Sequence, residues 1–239
     1  IFTGSRGTGK TTCAKIFAKA VNCLNPHDGD PCNECENCRG IDAGSLLDVV
    51  EIDAASNNGV DNIRELREET VYTPASSKYR VYIIDEAHML STGAFNALLK
   101  TLEEPPAYVI FILATTEVNK IPATIMSRCQ RFDFRRIPIP DIVARLQYVA
   151  KQEKIDLTPA AAEMIAKISD GALRNALSLL DQCAGIGGTV DEERVAQTAG
   201  LTSREYLFEL SGAVKNRDSA AALSVIDRLY TYAKDMERL

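Results

Sequence analysis

The sequence has no apolar run approaching the roughly 18 residues that a membrane-crossing helix needs, which argues against an integral helical membrane protein. No charged-then-apolar leader precedes the first glycine-rich loop, so the expected compartment is the cytoplasm. Basic charge is not in excess: 27 Lys and Arg stand against 33 Asp and Glu, a net charge of −6. This excludes a protein coated in positive charge, though not a local basic lining. Histidine is scarce, and His27 and His88 are too badly placed to form a ligand set; His88 is expected to pack after an apolar strand. Neither an internal repeat nor a low-complexity tract is visible. The seven cysteines are odd in number and four are clustered, which suits a reducing interior with a metal site better than a secreted disulfide scaffold.

What is present is the balance of a globular protein: 46% hydrophobic and 25% charged residues over 239 positions, enough for one large domain and one or two small ones. Residues 1–137 alternate between strand-like and helix-like stretches, the signature of a mostly parallel, doubly wound α/β sheet. The strand-like runs 47–52, 80–84 and 109–114 are mostly apolar rather than alternating, as strands covered on both faces should be. Helical spacing occupies 11–22, 62–71 and 93–102, and the polar, cysteine-rich stretch 23–40 interrupts the rhythm as an insertion. Residues 138–200 carry only helical patterns, at 141–152, 158–169, 173–184 and 191–199, with Thr158 and Pro159 as an N-cap and N1 pair. They read as a small helical lid. Two more amphipathic helices from about residue 201 read as the start of a third domain, and both ends of the chain read as cuts through a longer protein.

Gly4-Ser5-Arg6-Gly7-Thr8-Gly9-Lys10-Thr11 fits the G-x-x-x-x-G-K-[ST] pattern in full, between a strand and a helix and followed by Thr12. Its glycines permit a turn whose backbone N–H groups face phosphate oxygens, and the helix behind it adds a positive dipole end. Lys10 is expected to reach the β- and γ-phosphates and the Thr11 hydroxyl to bind Mg²⁺. Some 70 residues later, Val81-Tyr82-Ile83-Ile84-Asp85-Glu86 is an apolar strand ending in two carboxylates. Asp85 is placed to hold Mg²⁺, and Glu86 to orient the attacking water or take its proton. Either segment alone has a plain structural reading, a glycine turn or a strand-end turn. Together they imply a nucleotide hydrolase or switch.

Cys23, Cys32, Cys35 and Cys38 follow C-x8-C-x2-C-x2-C. Four thiolates close a tetrahedral zinc site with no position left for water, a staple for an insertion too small to have its own core. An iron–sulfur cluster is the competing reading, since successive C-x-x-C turns also hold such clusters. Cys13, Cys129 and Cys183 read as structural. From residue 118 to 137 the charge bias reverses, with Lys120, Arg128, Arg131, Arg135 and Arg136 against Asp133 alone; this is either a solvated edge or a weak sign of an anionic partner.

Three further features narrow the type of nucleotidase. Ile112-Leu113-Ala114-Thr115-Thr116 is a strand ending in hydroxyls, Ser127-Arg128-Cys129 follows a helical stretch, and Arg174 opens a lid helix in Gly171-Ala172-Leu173-Arg174. With Asp85-Glu86-Ala87-His88-Met89-Leu90 and Asn96-Ala97-Leu98-Leu99-Lys100-Thr101-Leu102-Glu103-Glu104-Pro105-Pro106, these segments resemble the clamp-loader branch of the AAA+ ATPases. The cysteine insertion points within it to the gamma/tau subunits of bacterial DNA polymerase III. The resemblance runs over roughly the first 200 positions and more loosely to the end.

The resemblance implies ATP, Mg²⁺ and Zn²⁺ as cofactors, with Lys10 and Thr11 matching the Walker A pair and Asp85 and Glu86 the Walker B pair. Thr116 matches the sensor 1 position, with Thr115 a close second. Arg128 matches an arginine finger that acts on ATP bound by the adjacent subunit, and Arg174 matches the sensor 2 arginine. Plain alternatives are a strand-end cap for the threonines, a surface ion pair for Arg128 and a helix salt bridge for Arg174. The implied partners are other clamp-loader subunits in a hetero-oligomeric ring, a sliding clamp, primer–template DNA and, through a C-terminal region outside this sequence, the polymerase core; Lys100 is a candidate DNA contact. The implied cycle opens the clamp on ATP binding and releases it on hydrolysis. An adenine-binding segment before the first strand, also implied, lies outside this sequence. Two rivals remain: a non-catalytic AAA+ scaffold, against which Lys10 and Glu86 argue, and a metabolic P-loop kinase, which leaves the Ser-Arg-Cys element and the cysteines unexplained.

Overall fold

The computed structural model describes residues 1–200 and 204–232. It divides into two compact units, Ile1–Arg136 and Ile137–Leu239. In the first, strands β1 (Phe2–Gly4), β2 (Val49–Asp53), β3 (Arg80–Asp85), β4 (Val109–Thr115) and β5 (Phe132–Phe134) form one sheet in the order β2-β3-β4-β1-β5. All four pairings are parallel. β3 lies inside the sheet with Val81, Tyr82, Ile83 and Ile84 fully buried, which is why its sequence is continuously apolar. Helix α1 (Lys10–Asn22) presents the small Ala14 and Ala18 to Val81, Ile83 and Ile112 on one face of the sheet. On the other face α3 (Val60–Glu69), α4 (Thr92–Glu103) and α5 (Ala123–Met126) bury Ile63, Phe95, Leu98 and Ile125 against Ile84 and Leu113. Fully burying an aliphatic or aromatic side chain of this size contributes about 1.5–3 kcal/mol.

Two elements of this unit are not legible from periodicity. Helix α2 (Glu36–Asp42) begins inside the cysteine insertion and runs two residues past it. β5 is only three residues long, largely exposed and set in a basic stretch, so no apolar run marks it. It is held at the edge of the sheet by pairing with β1 and by Asp133, which accepts the Thr3 hydroxyl and pairs with Arg131. This edge also explains Gly4: at φ +150° a Cβ there would overlap the Phe134 carbonyl oxygen and stand 2.9 Å from the Phe134 Cβ.

In the second unit α6 (Ile139–Gln152), α7 (Pro159–Ile168), α8 (Leu173–Ala184) and α9 (Glu192–Thr198) enclose Ile142, Leu146, Ile165, Leu180, Val190 and Val195. Thr158 caps α7 by accepting the Ala161 N–H at 3.2 Å, with Pro159 as its first residue. Asp191 caps α9 in the same way, accepting from Arg194 at 2.9 Å. Helices α10 (Arg204–Lys215) and α11 (Ser219–Tyr232) pack on each other, burying Ala213 and Val225. The expected third domain falls partly on residues 201–203 and 233–239, outside the described set. Among the described residues no helix is long and apolar enough to cross a membrane.

Candidate functional site

The loop from Gly4 to Gly9 joins the C-terminal end of β1 to the N-terminus of α1, with Gly7 and Gly9 at φ 78° and 94°. A Cβ strains both conformations, so glycine suits these positions. No side chain caps α1, which leaves its first backbone N–H groups aimed into the loop. Thr8 is buried and its hydroxyl donates to the Ser5 carbonyl at 2.8 Å, closing the loop on itself, while Ser5, Arg6 and Thr12 are exposed. Lys10 is 6% exposed, and its ammonium donates to the Gly4 and Ser5 carbonyls at 2.9 Å each. Burial lowers its pKa, opposed by the nearby Glu86 and Asp85 carboxylates.

Asp85 ends β3 beside this loop. The Thr11 hydroxyl donates to Asp85 Oδ2 at 2.6 Å, joining two side chains 74 residues apart. Two oxygen ligands converging on one point fit a hard divalent cation such as Mg²⁺. Glu86, next along, has φ 45°, and its N–H donates back to Asp85 Oδ1 at 2.9 Å. From the end of the neighbouring β4, Thr116 donates its hydroxyl to Glu86 Oε2 at 3.1 Å. Thr115 is fully buried and turns the other way, to His88 Nδ1 at 3.1 Å and the Glu117 N–H at 3.1 Å. His88 is more than packing. It joins these residues, a role that neither its position after the strand nor its residue type announces.

Arg128 follows α5, with its side chain 34% exposed. One guanidinium nitrogen pairs with Glu103 at 2.7 Å and another donates to the Thr124 carbonyl at 2.7 Å. The basic stretch around it is largely neutralised by carboxylates: Lys120 pairs with Glu117 at 2.9 Å and Arg131 with Asp133 at 2.7 Å. Three of the five basic side chains of this stretch, Lys120, Arg128 and Arg131, thus face carboxylates. Lys100 is exposed on α4. Arg174 belongs to the second unit and is exposed at the second position of α8.

The insertion brings Cys23, Cys32, Cys35 and Cys38 together, with all four Sγ atoms within 4.8 Å of one another. A zinc ion with Zn–S bonds of about 2.3 Å holds its sulfurs roughly 3.8 Å apart, so the cluster can hold such an ion with a small contraction. Backbone N–H groups of Cys32, Cys35 and Cys38 donate to the sulfurs of Cys23, Cys32 and Cys35 at 3.3, 3.3 and 3.5 Å. Burial opposes ionisation of Cys35, but the N–H groups of Leu24 and Cys38 outweigh it and bring its thiol down to about 6. The N–H groups of Glu34 and Cys35 lower Cys32 as well. Cys38, the buried member, is instead pushed up to about 12, by burial first, so the protein's own groups favour the thiolate at Cys32 and Cys35 but not at Cys38. Cys23 is also the C-cap residue of α1, and Lys19 on that helix binds Asn33 at 2.8 Å and Asp42 at 3.0 Å.

Comparison with known proteins agrees with this geometry. The family model described as "DNA polymerase III, delta subunit" matches residues 1–138, and that described as "DNA polymerase III clamp loader subunit, ATPase lid domain" matches residues 141–189. The DNA polymerase III subunit tau of Bacillus subtilis is 51% identical over 240 residues, covering all of this chain and 43% of that protein. The gamma/tau subunit of Mycoplasma genitalium is 49% identical, covering 95% of this chain and 38% of that protein, and the Escherichia coli tau subunit is 39% identical, covering 100% and 37%. The chain therefore spans about two-fifths of the length of these relatives. Among solved structures, the Holliday junction branch migration motor RuvB of Thermotoga maritima aligns over 94% of this chain and 72% of its own, with TM-score 0.58 at 18% identity, a likeness of fold alone. With a glycine-rich loop facing a β3 Asp-Glu pair in an AAA+ fold, and matches along both units, the chain belongs to the clamp-loader subunit family of DNA polymerase III.

Proposed function

We propose that this chain is the motor portion of an ATPase subunit that loads a sliding clamp onto primed DNA during bacterial replication, within a DNA polymerase III holoenzyme in the cytoplasm. The observation that carries the reading is the 2.6 Å contact between Thr11 and Asp85 beside the Lys10 ammonium, which brings one cation and two side-chain oxygens to the glycine-rich loop at the N-terminus of α1. In this reading the N-terminus of α1 and the residues Gly4 to Thr12 receive the triphosphate, and Lys10 exchanges its loop carbonyls for phosphate oxygens. Thr11 and Asp85 would hold Mg²⁺, which when bound neutralises charge on the phosphates. Glu86 orients the attacking water, with Thr116 fixing one of its oxygens. Thr115, buried on His88, serves the site indirectly.

Arg128 acts in trans. A guanidinium is always charged and bidentate, which suits the charge that develops on a γ-phosphate. In one protomer it is held by Glu103, so it must exchange that carboxylate for the neighbour's nucleotide when the ring assembles. Arg174 closes over nucleotide from the lid. We assign zinc to the four cysteines as a structural ion, and the domains as 1–137, 138–200 and 201–239. Partner subunits, the clamp and primer–template DNA complete the cycle, with DNA held through salt-sensitive phosphate contacts. The test is ATP turnover by the full-length protein in its assembly, before and after primed DNA and clamp are added. Stimulated turnover that is lost in Lys10→Ala is the expected result. Phosphate transferred to a small acceptor, or no turnover with clamp and DNA present, would refute the reading.

A further inference from the structure

His88 follows the β3 carboxylate pair, and its side chain is 7% exposed. A buried imidazole needs a partner on each nitrogen. Nε2 lies 3.3 Å from Glu117 Oε1, and a carboxylate only accepts, so Nε2 carries a proton. Nδ1 lies 3.1 Å from the Thr115 hydroxyl and 3.4 Å from Glu86 Oε2. Thr115 already accepts the Glu117 N–H at 3.1 Å, which leaves its own proton free for Nδ1 in the neutral ring. The ring is thereby fixed at both ends by residues at the C-terminal end of β4. It stands beside the same Glu86 oxygen that accepts the Thr116 hydroxyl at 3.1 Å. Glu86 itself sits at φ 45°, a backbone conformation that fits a side chain held from outside.

We infer that His88 is a positioning residue for hydrolysis: hydrogen-bonded to Thr115 and Glu117, it fixes the end of β4, from which the Thr116 hydroxyl holds Oε2 of Glu86 and leaves the other carboxylate oxygen to face the attacking water. The orientation of the general base is then set by the end of β4, so that a shift of this strand against β3 moves the base. The inference rests on the ATPase reading proposed above and adds to it a residue that does not touch nucleotide.

The test uses the full-length protein in its assembly with partner subunits, clamp and primed DNA. His88→Leu keeps the ring's bulk and removes both polar atoms, whereas His88→Asn keeps a polar group near the position of Nδ1. The expected result is a kcat at least about tenfold lower in His88→Leu, less than the roughly 100-fold that a general base itself contributes. Binding of a fluorescent ATP analogue stays within about twofold of wild type, and His88→Asn recovers part of the rate. Thr115→Val reproduces the loss, and the double variant with His88→Leu is no slower than either single one. Wild-type kcat in His88→Leu overturns the assignment of His88 alone. So does a variant pair in which Leu outperforms Asn, since bulk rather than hydrogen bonding would then be the cause. An assembly that hydrolyses no ATP even as wild type overturns the ATPase reading instead.

Discussion

Asp48, just ahead of β2, shows how one side chain can order a loop. It is 2% exposed, and its carboxylate accepts N–H groups from Ala75 at 2.8 Å and from Ser76 and Ser77 at 2.9 Å each. Burial alone would raise its pKa, but the three N–H donors outweigh it and hold the carboxyl below its usual range. With the folded pKa depressed, the stabilisation is fully present above the ordinary carboxylate pKa and is lost as pH falls through the folded value. Asp48→Asn should cost about 2–3 kcal/mol near neutral pH, the scale of losing charge-assisted bonds to buried donors. The difference from wild type should shrink once acid protonates Asp48. Urea unfolding of the two proteins at several pH values checks this, and a pH-independent gap would contradict it. At the same scale, Gly4→Ala must push β5 off β1, because the atom in the way is backbone rather than a flexible side-chain tip; a loss of about 1–3 kcal/mol in the same assay is expected.

Helix α1 carries different chemistry at its two ends. Lys10 and Thr11 open it at the phosphate loop, and Cys23 caps it at the metal cluster. Between the insertion and the sheet, Asn37 donates to the Asn22 carbonyl at 2.8 Å, and Asn22 exchanges two hydrogen bonds with the backbone of Tyr79. The insertion is thus pinned to the C-terminal end of the helix that follows the glycine-rich loop. Purified protein should contain one zinc per chain and no iron or acid-labile sulfide. Cys38→Ser or chelation should lower the thermal midpoint by roughly 4–8 °C, which corresponds to about 2 kcal/mol for a chain of this size. Metal analysis and calorimetry decide it, and an unchanged midpoint after complete metal removal would count against a structural role.

For the whole molecule, the role proposed for Arg128 can be seen only in an assembly. Its ion pair with Glu103 satisfies it within one protomer, so its proposed action on a neighbouring site is invisible in a single chain. Arg128→Ala should retain ATP binding and lose about 10³-fold of stimulated turnover, the lower end of what an arginine finger contributes. Equilibrium binding and steady-state hydrolysis on the same reconstituted complex separate these effects. A variant that hydrolyses normally would remove the trans role. Much else at this scale was legible in advance. The alternation of apolar strands and helical spacing indicated a parallel sheet, and the glycine pattern, the Asp-Glu strand end and the C-x-x-C turns picked out residues that the fold does bring together, Thr11 with Asp85 and the four cysteines with one another. Each is a local rule, in which spacing along the chain dictates backbone conformation or ligand geometry. The placement of β5, the pairing of Arg128 and the contacts of His88 were not legible. Each depends on groups far apart in sequence: β5 exists because β1 offers it an edge, Arg128 is neutralised from 25 residues away, and His88 bridges β3 and β4 across 27 residues. Sequence alone determined which candidate chemistry the chain carries, because a glycine-rich loop and closely spaced cysteines follow local spacing rules. Only the tertiary structure decided which side chains hold that chemistry in place, because sheet order brings together carboxylates, hydroxyls and an imidazole that no spacing rule connects.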